Sequence, residues 1–257
     1  MITPASSPVR RALILAAGMG RRLMPLTATR PKCLLEIDGR PLLNQLLYAL
    51  RSLGVDEWVI VVGYRRELIQ TEVPAYKLSP RSLEWVVNRE YRSTNTLASV
   101  ATAAHKLRGE PFLLLNGDLW IQPHALEPLI RSPHRNAMLV DRTIRLDAEA
   151  MKVVLDSRGR VCRLGKKLPI AASSGESIGA YRFDTDGGTR FLDAVVTRAT
   201  AGDTQAFYEG ALDDLSAHGM RPAAVDVLPG SWAEIDDAHD LARAKALSCE
   251  HFRATGS

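Results

Sequence analysis

Three stretches of this 257-residue chain carry residue types and spacings that could do chemistry. The longest is "LAAGMGRRLMPLTATRPKCLL" (Leu15–Leu35): Gly18 and Gly20 follow a short apolar run, then come Arg21, Arg22 and Lys32. Glycines after a strand let the backbone turn sharply and bring N–H groups close to an anion. The second is "NGD" (Asn116–Asp118), which puts a carboxylate at the end of an apolar run, and the third is "EID" (Glu234–Asp236). Glu234 and Asp236, two residues apart in a strand, would face the same side. With Asp118 they make an oxygen cluster suited to Mg²⁺, which takes one or two carboxylates together with substrate phosphates and water. Each carboxylate alone is better explained as a helix cap or turn residue.

Spacing narrows the anion. A dinucleotide fingerprint needs a third glycine where Leu23 stands, and no G-x-x-x-x-G-K-[ST] phosphate loop is present. The net charge of +4 and pI near 9.1 suit a small anionic substrate. Lys and Arg are dispersed and aromatics are only 6%, which argues against nucleic acid. Cys33, Cys162 and Cys249 have neither disulfide-framework nor metal-ligand spacing, as expected of a reducing compartment. No run approaches the roughly 20 apolar residues that span a bilayer, and "MITPASSPVRR" has no hydrophobic leader core. The expectation is a cytoplasmic protein with no membrane partner.

The elements that must position these residues show in the pattern. "ALILAA" (Ala12–Ala17), "EWVIVVG" (Glu57–Gly63), "LEWVVN" (Leu83–Asn88) and "PFLLLNGD" (Pro111–Asp118) read as strands buried on both faces of a parallel sheet. Helices are expected over Pro41–Gly54 and Ser93–Gly109, which carry start and stop signals. The second half lists strands without long helices between them: Asn136–Arg142, Ala150–Asp156, Gly159–Gly165 and Ser177–Phe183. Helices over about Thr185–Ala201 and Tyr208–His218, a strand at Arg221–Val227 and a helix near Asp237–Leu247 follow. This predicts an α/β fold whose mixed, mostly parallel sheet is flanked by helices. With no repeat or linker in 1–257, one domain is expected, with about 10–120 binding nucleotide and 121–247 supplying the acceptor side and the second metal carboxylate.

The signature G-x-G-x-R-L-x-P-L-T-x-x-x-P-K-C-L-L-x-x-x-G-x-P-L-L, with "VVGY", "NREYRSTNTLAS", "LLLNGDL", "EAMKV", "GESIGAYRF", "FYEGALDDL" and "WAEIDDAHDLARA" in order, spans about Arg11 to Ala246. It resembles the sugar-nucleotide pyrophosphorylase-like nucleotidyltransferases. The "PKCLL" form looks most like small cytidylyltransferases acting on phosphocholine or 2-aminoethylphosphonate. The resemblance implies a Rossmann-like fold of the nucleotide-diphospho-sugar transferase type and a Mg²⁺-dependent transfer of CMP from CTP to a small phosphate or phosphonate, with release of pyrophosphate. Relatives of this kind are often dimers, so a homodimer is an open expectation.

Residue roles follow from the same resemblance. Leu15, Ala16, Ala17, Gly18, Met19 and Gly20 would wrap the triphosphate, with Gly63, Asn95, Ser99 and Gly117 completing the nucleotide pocket. Arg22 would hold the leaving phosphates and Lys32 would neutralise charge at the α-phosphate. Asp118 and Asp236, with Glu234 nearby, would hold the metal. The acceptor would meet Lys152, Lys166, Tyr181, Tyr208, Glu209 and Trp232. The aromatics could hold an ammonium by cation–π attraction, or simply pack. Three positions depart from the family pattern: Arg21 for a usual Ser or Thr, Thr96 for a second Asn, and Gln205 for an Asn. A phosphate ester's second pKa is about 6, so the nucleophile is already ionised and no general base is needed. Transfer to a sugar-1-phosphate from another nucleotide is the sibling alternative, and a non-catalytic nucleotide-binding module the alternative of another class. Lys32, Asp118 and Asp236 together argue against the module, and Leu23 against an NAD-dependent oxidoreductase.

Overall fold

The computed structural model describes residues 9–73 and 75–255; residues 1–8, on which the expectation of no leader rests, lie outside the described residues. Strand β1 (Arg11–Ala16) is apolar throughout because both of its faces are covered. Ala12 and Ile14 belong to the core on one side of the sheet and Leu13 to the core on the other, as the two-residue period of a strand demands. Two short strands, β2 (Glu36–Ile37) and β3 (Arg40–Pro41), form a separate hairpin ahead of α1 (Leu42–Ser52). Leu43, Leu46, Leu47 and Leu50 of α1 make one apolar stripe against the sheet. Its stop is Gly54 in the left-handed conformation, φ +83°.

Strand β4 (Glu57–Val62), helices α2 (Arg66–Glu72) and α3 (Ala75–Leu78), strand β5 (Ser82–Val87), helix α4 (Thr96–Ala103) and strand β6 (Phe112–Asn116) complete the first half. Here β6, β1, β4 and β5 lie side by side and parallel. The expected helix at Ser93–Gly109 starts later, because Asn95 caps it by accepting from Thr96 N at 2.8 Å, and it closes in a 3-10 turn at Ala104–Lys106. Helix α2 gave little periodic signal because only Ile69 of its residues is buried.

The second half holds β7 (Leu119–Ile121), α5 (Pro123–Ile130), β8 (Ala137–Asp141), β9 (Lys152–Leu155), β10 (Val161–Gly165), β11 (Gly175–Phe183), α6 (Thr185–Thr200), α7 (Glu209–Ala217), β12 (Ala223–Asp226), β13 (Trp232–Glu234) and α8 (Ala238–Thr255). The long β11 joins the halves: it runs antiparallel to β6, β8 and β9. The nine-stranded sheet is therefore mixed, with α1 and α5 on one face and α4, α6 and α7 on the other. No helix among the described residues is long and apolar enough to cross a membrane.

A third, smaller core matters most for function. Leu23, Leu35, Ile37, Leu42, Trp120, Ala233, Ile235 and Leu241 pack together under the turns that carry the charged residues. They come from both ends of the chain, so the site exists only when β13, paired antiparallel with β7, has closed.

Candidate active site

The C-terminal ends of β1 and β6 open into a cleft of about 470 Å³. One wall is the turn after β1. Gly117 N donates to Leu15 O at 2.9 Å, tying the ends of the two strands together. A Cβ at Gly117 would sit 2.6 Å from that same oxygen, so only glycine fits. Gly20 adopts φ +61°, and its missing Cβ leaves room for the Lys32 stem, 2.9 Å away. Arg22 lies on a 3-10 turn (Arg21–Leu23) and Lys32 on another (Lys32–Leu34), each anchored by a buried leucine, Leu23 and Leu34.

The carboxylates arrive from the two-stranded antiparallel sheet of β7 and β13. Glu234 pairs in register with Leu119, and Ile235 N donates to Asp118 O at 3.1 Å. The strand ends at Glu234, so Asp236 lies beyond it; Asp236 N donates to Asp240 Oδ2 at 3.0 Å in the cap of α8. Asp118, Glu234 and Asp236 nevertheless each offer an oxygen within 4.8 Å of the others. Lys32 Nζ pairs with Asp118 and lies 2.8 Å from Asp236 Oδ1, while Arg22 takes Asp236 Oδ2. Burial alone would push the Lys32 ammonium down, but the two carboxylates outweigh it and hold it above its usual value. Burial would raise Asp236, and Lys32 and Arg22 reverse that, keeping it below the ordinary range. Burial and the charges of Asp118 and Asp236 push Glu234 up. Asp118 Oδ1 is buried without a hydrogen-bond partner. Three carboxylates of this hard oxygen type, one with an unsatisfied buried atom, fit a divalent cation.

Of the expected nucleotide residues, Leu15, Ala16, Ala17, Gly18, Gly20, Asn95, Ser99 and Gly117 line the cleft. Met19 and Gly63 do not. Gly63 packs behind the wall against Tyr91 and Ala17 O, where a Cβ would have no room. Asn95 spends its side-chain oxygen on the helix cap, and Ser99 Oγ accepts from Asn88 at 3.0 Å. The residues after α6 cover this helix end: Asn95 N and Leu97 N donate to Thr204 O and Ala206 O, and Gln205 donates to Ser93 O.

The acceptor wall is where the structure corrects the expected set. Lys152 is 1% exposed, and its ammonium donates to the carbonyls of Lys166 at 2.6 Å and Ala150 at 3.1 Å, so it ties two loops together and does not reach the cleft. Tyr181 and Tyr208 are fully buried in the core, with rings edge-on at 5.5 Å. Their hydroxyls act behind the wall: Tyr208 donates to Asn116 Oδ1 at 3.0 Å, and Tyr181 to Glu209 Oε1 at 3.3 Å. Trp232 does line the cleft, with its indole N–H committed to Asp141 Oδ2 at 2.8 Å. Glu209 and Lys166 also reach it. Burial raises the Glu209 carboxyl to about 7, and its Oε2 has no partner. The cleft further holds Tyr91, Asn116, Arg145, Phe207 and Arg243, none of which the sequence reading named as a contact. Tyr91, Asn116, Phe207 and Arg243 fall inside motifs already noted; Arg145 carried no signal.

Comparison with known proteins follows the same outline. The model of the family described as "MobA-like NTP transferase domain" matches residues 12–160. "CMP-5'-(3-aminopropyl)phosphonate synthase" of Streptomyces rubellomurinus is 33% identical over 94% of this chain, which spans only 39% of that protein's length. "CTP:phosphoglutamine cytidylyltransferase" of Campylobacter jejuni is 26% identical, covering 90% of this chain and 97% of its own. The CTP:phosphocholine cytidylyltransferase of Streptococcus pneumoniae shares the fold, with TM-score 0.74 at 19% identity over 93% of this chain and 100% of that one.

Proposed function

The chain belongs to the MobA-like NTP transferase family, and from that premise we propose that it transfers CMP from CTP to a small phosphate- or phosphonate-bearing acceptor, releasing pyrophosphate. The observation that carries this reading is the meeting of Lys32 and Arg22, from the turn after β1, with Asp118, Glu234 and Asp236 on one cleft floor. A glycine-bearing loop at a strand end, two cations and three carboxylates suit a metal-bound triphosphate better than any neutral ligand. One relative named for a CMP-linked aminopropylphosphonate and another named for CTP and phosphoglutamine support the donor and the acceptor class.

In this reading the backbone of Leu15–Gly20 wraps the triphosphate, with Arg22 on the leaving phosphates and Lys32 at the α-phosphate. Asp118 and Asp236, with Glu234 beside them, would hold a magnesium ion, which supplies charge neutralisation and polarises phosphoryl oxygens. An acceptor oxygen attacks the α-phosphorus in line, and the bond to the pyrophosphate oxygen breaks. That oxygen is ionised at neutral pH, so the chain has no proton to remove. Its work is positioning and charge stabilisation. Asn95, Ser99 and Gly117 lie along the nucleoside, and Lys166, Glu209 and Phe207 along the acceptor.

The test is pyrophosphate release with each of CTP, UTP, GTP, ATP and dTTP, magnesium, and a panel of phosphocholine, aminoalkylphosphonates, inositol phosphate and sugar-1-phosphates. CTP with a non-sugar acceptor is the expected pair. A preference for another nucleotide with a sugar-1-phosphate, or no turnover with any pair, overturns the reading.

A further inference from the structure

Two side chains expected to meet phosphates stand on the carboxylates. Lys32 Nζ spans Asp118 Oδ2 and Asp236 Oδ1, and Arg22 takes Asp236 Oδ2. Of the oxygens on these two aspartates, only Asp118 Oδ1 is left, buried and without a partner. Resting on the transfer reading above, we propose that Lys32 is a resident counter-ion that competes with the divalent cation for Asp118 and Asp236, so that the cation enters with the triphosphate rather than ahead of it.

The physical case begins with repulsion. Three carboxylates with oxygens within 4.8 Å of one another, taken partly out of water, need positive charge nearby for the chain to fold around them. Lys32 provides it from within, and its side chain is only 15% exposed, so water screens the contact little. A divalent ion on the same oxygens would face that ammonium at close range. A triphosphate changes the balance, because it offers the lysine anionic oxygens elsewhere. The move is short: the Lys32 stem packs against Gly20, in the loop where the phosphates would lie. Arg22, at 55% exposure, makes a direct pair with Asp236 that water screens more and so weakens.

Binding of Mn²⁺ alone to the nucleotide-free protein, followed by calorimetry or by the EPR signal of the free ion, decides the matter. Lys32→Met should bind Mn²⁺ about tenfold or more tightly than the wild type, a span typical of coupling between two ligands. Arg22→Gln should gain by a smaller factor. Mn²⁺ should also raise the melting temperature of Lys32→Met more than that of the wild type. A folded Lys32→Met with Mn²⁺ affinity equal to or below the wild type's overturns the proposal. If circular dichroism shows that variant unfolded, Arg22→Gln decides alone, and no gain there is equally fatal. Wild-type turnover with unchanged metal affinity in the variants removes the counter-ion role only. Raised metal affinity in the variants, with no turnover by the wild type on any acceptor, removes the transfer reading only.

Discussion

At the donor end of the cleft, charged side chains hang from turns that follow buried strands and pair with one another across more than two hundred residues of sequence, as Lys32 and Arg22 do with Asp236. At the acceptor end, the wall comes from the loop between β8 and β9, from β11 and from the segment leading into α7, and its polar groups are mostly braced from behind. Tyr181 and Tyr208 hold Glu209 and Asn116, Trp232 holds Asp141, and Lys152 holds the carbonyls of Ala150 and Lys166. Phe207, 39% exposed beneath the Lys166 ammonium at 5.0 Å, is the apolar surface on this side. On the proposed reading the donor end meets the same triphosphate whatever the acceptor, and direct charge suits that. The acceptor end shapes a space and leaves few groups to fill it, which suits variation in what is bound there.

Breaking the donor end should cost most. Asp118→Asn removes a charge at the centre of the cluster and should lower kcat roughly 10²-fold or more, the scale for a preorganised group at the reacting centre. Steady-state kinetics with saturating CTP checks this, and the KM for the acceptor should change little.

Glu209→Gln probes the acceptor end by stability as well as by binding. Burial lifts its folded pKa from the usual 4.5 to about 7. Below 4.5 the carboxyl is protonated whether the chain is folded or not. As pH rises from 4.5 to about 7 the unfolded chain gives up the proton first, so the wild type loses stability through that window. Glu209→Gln should therefore melt with the wild type near pH 4 and above it near pH 8. At neutral pH its acceptor KM should rise about tenfold, as for loss of a hydrogen bond to a charged group, with the KM for CTP unchanged. A rise in the CTP KM instead would dissolve the distinction between the two ends.

The smallest effects separate the two lysines once expected to share a role. Lys152→Met leaves backbone carbonyls unpaired and should lower stability by about 1–3 kcal/mol in chemical denaturation. Lys166→Met should leave stability nearly unchanged, since its pair with Glu149 is exposed on the glutamate side, and raise the acceptor KM a few-fold. Reversed outcomes would return Lys152 to the cleft.

The donor loop was legible because its glycines, Arg22 and Lys32 lie within one short stretch, where local backbone geometry dictates residue type. Continuous apolar runs in β1, β4 and β6, and the leucine stripe of α1, made the sheet and its first covering helix equally plain. Asp118 and Asp236 could be named singly, yet their meeting depends on β13 pairing with β7 over a core that draws on Leu23 and Leu241 alike. Side-chain aim was beyond the sequence. Tyr181, Tyr208 and Lys152 have types that suit an acceptor site, but β11, the start of α7 and β9 turn them inward, and for the two strand residues one step of register decides the face taken. Arg145, in a loop with no periodicity, shows the converse: only the packing of that loop across the cleft gives it a place there. Local chemistry follows from the order of residues, because backbone preference acts over a few positions. Which of those residues face one another is set by long-range pairing, and that is a property of the folded chain.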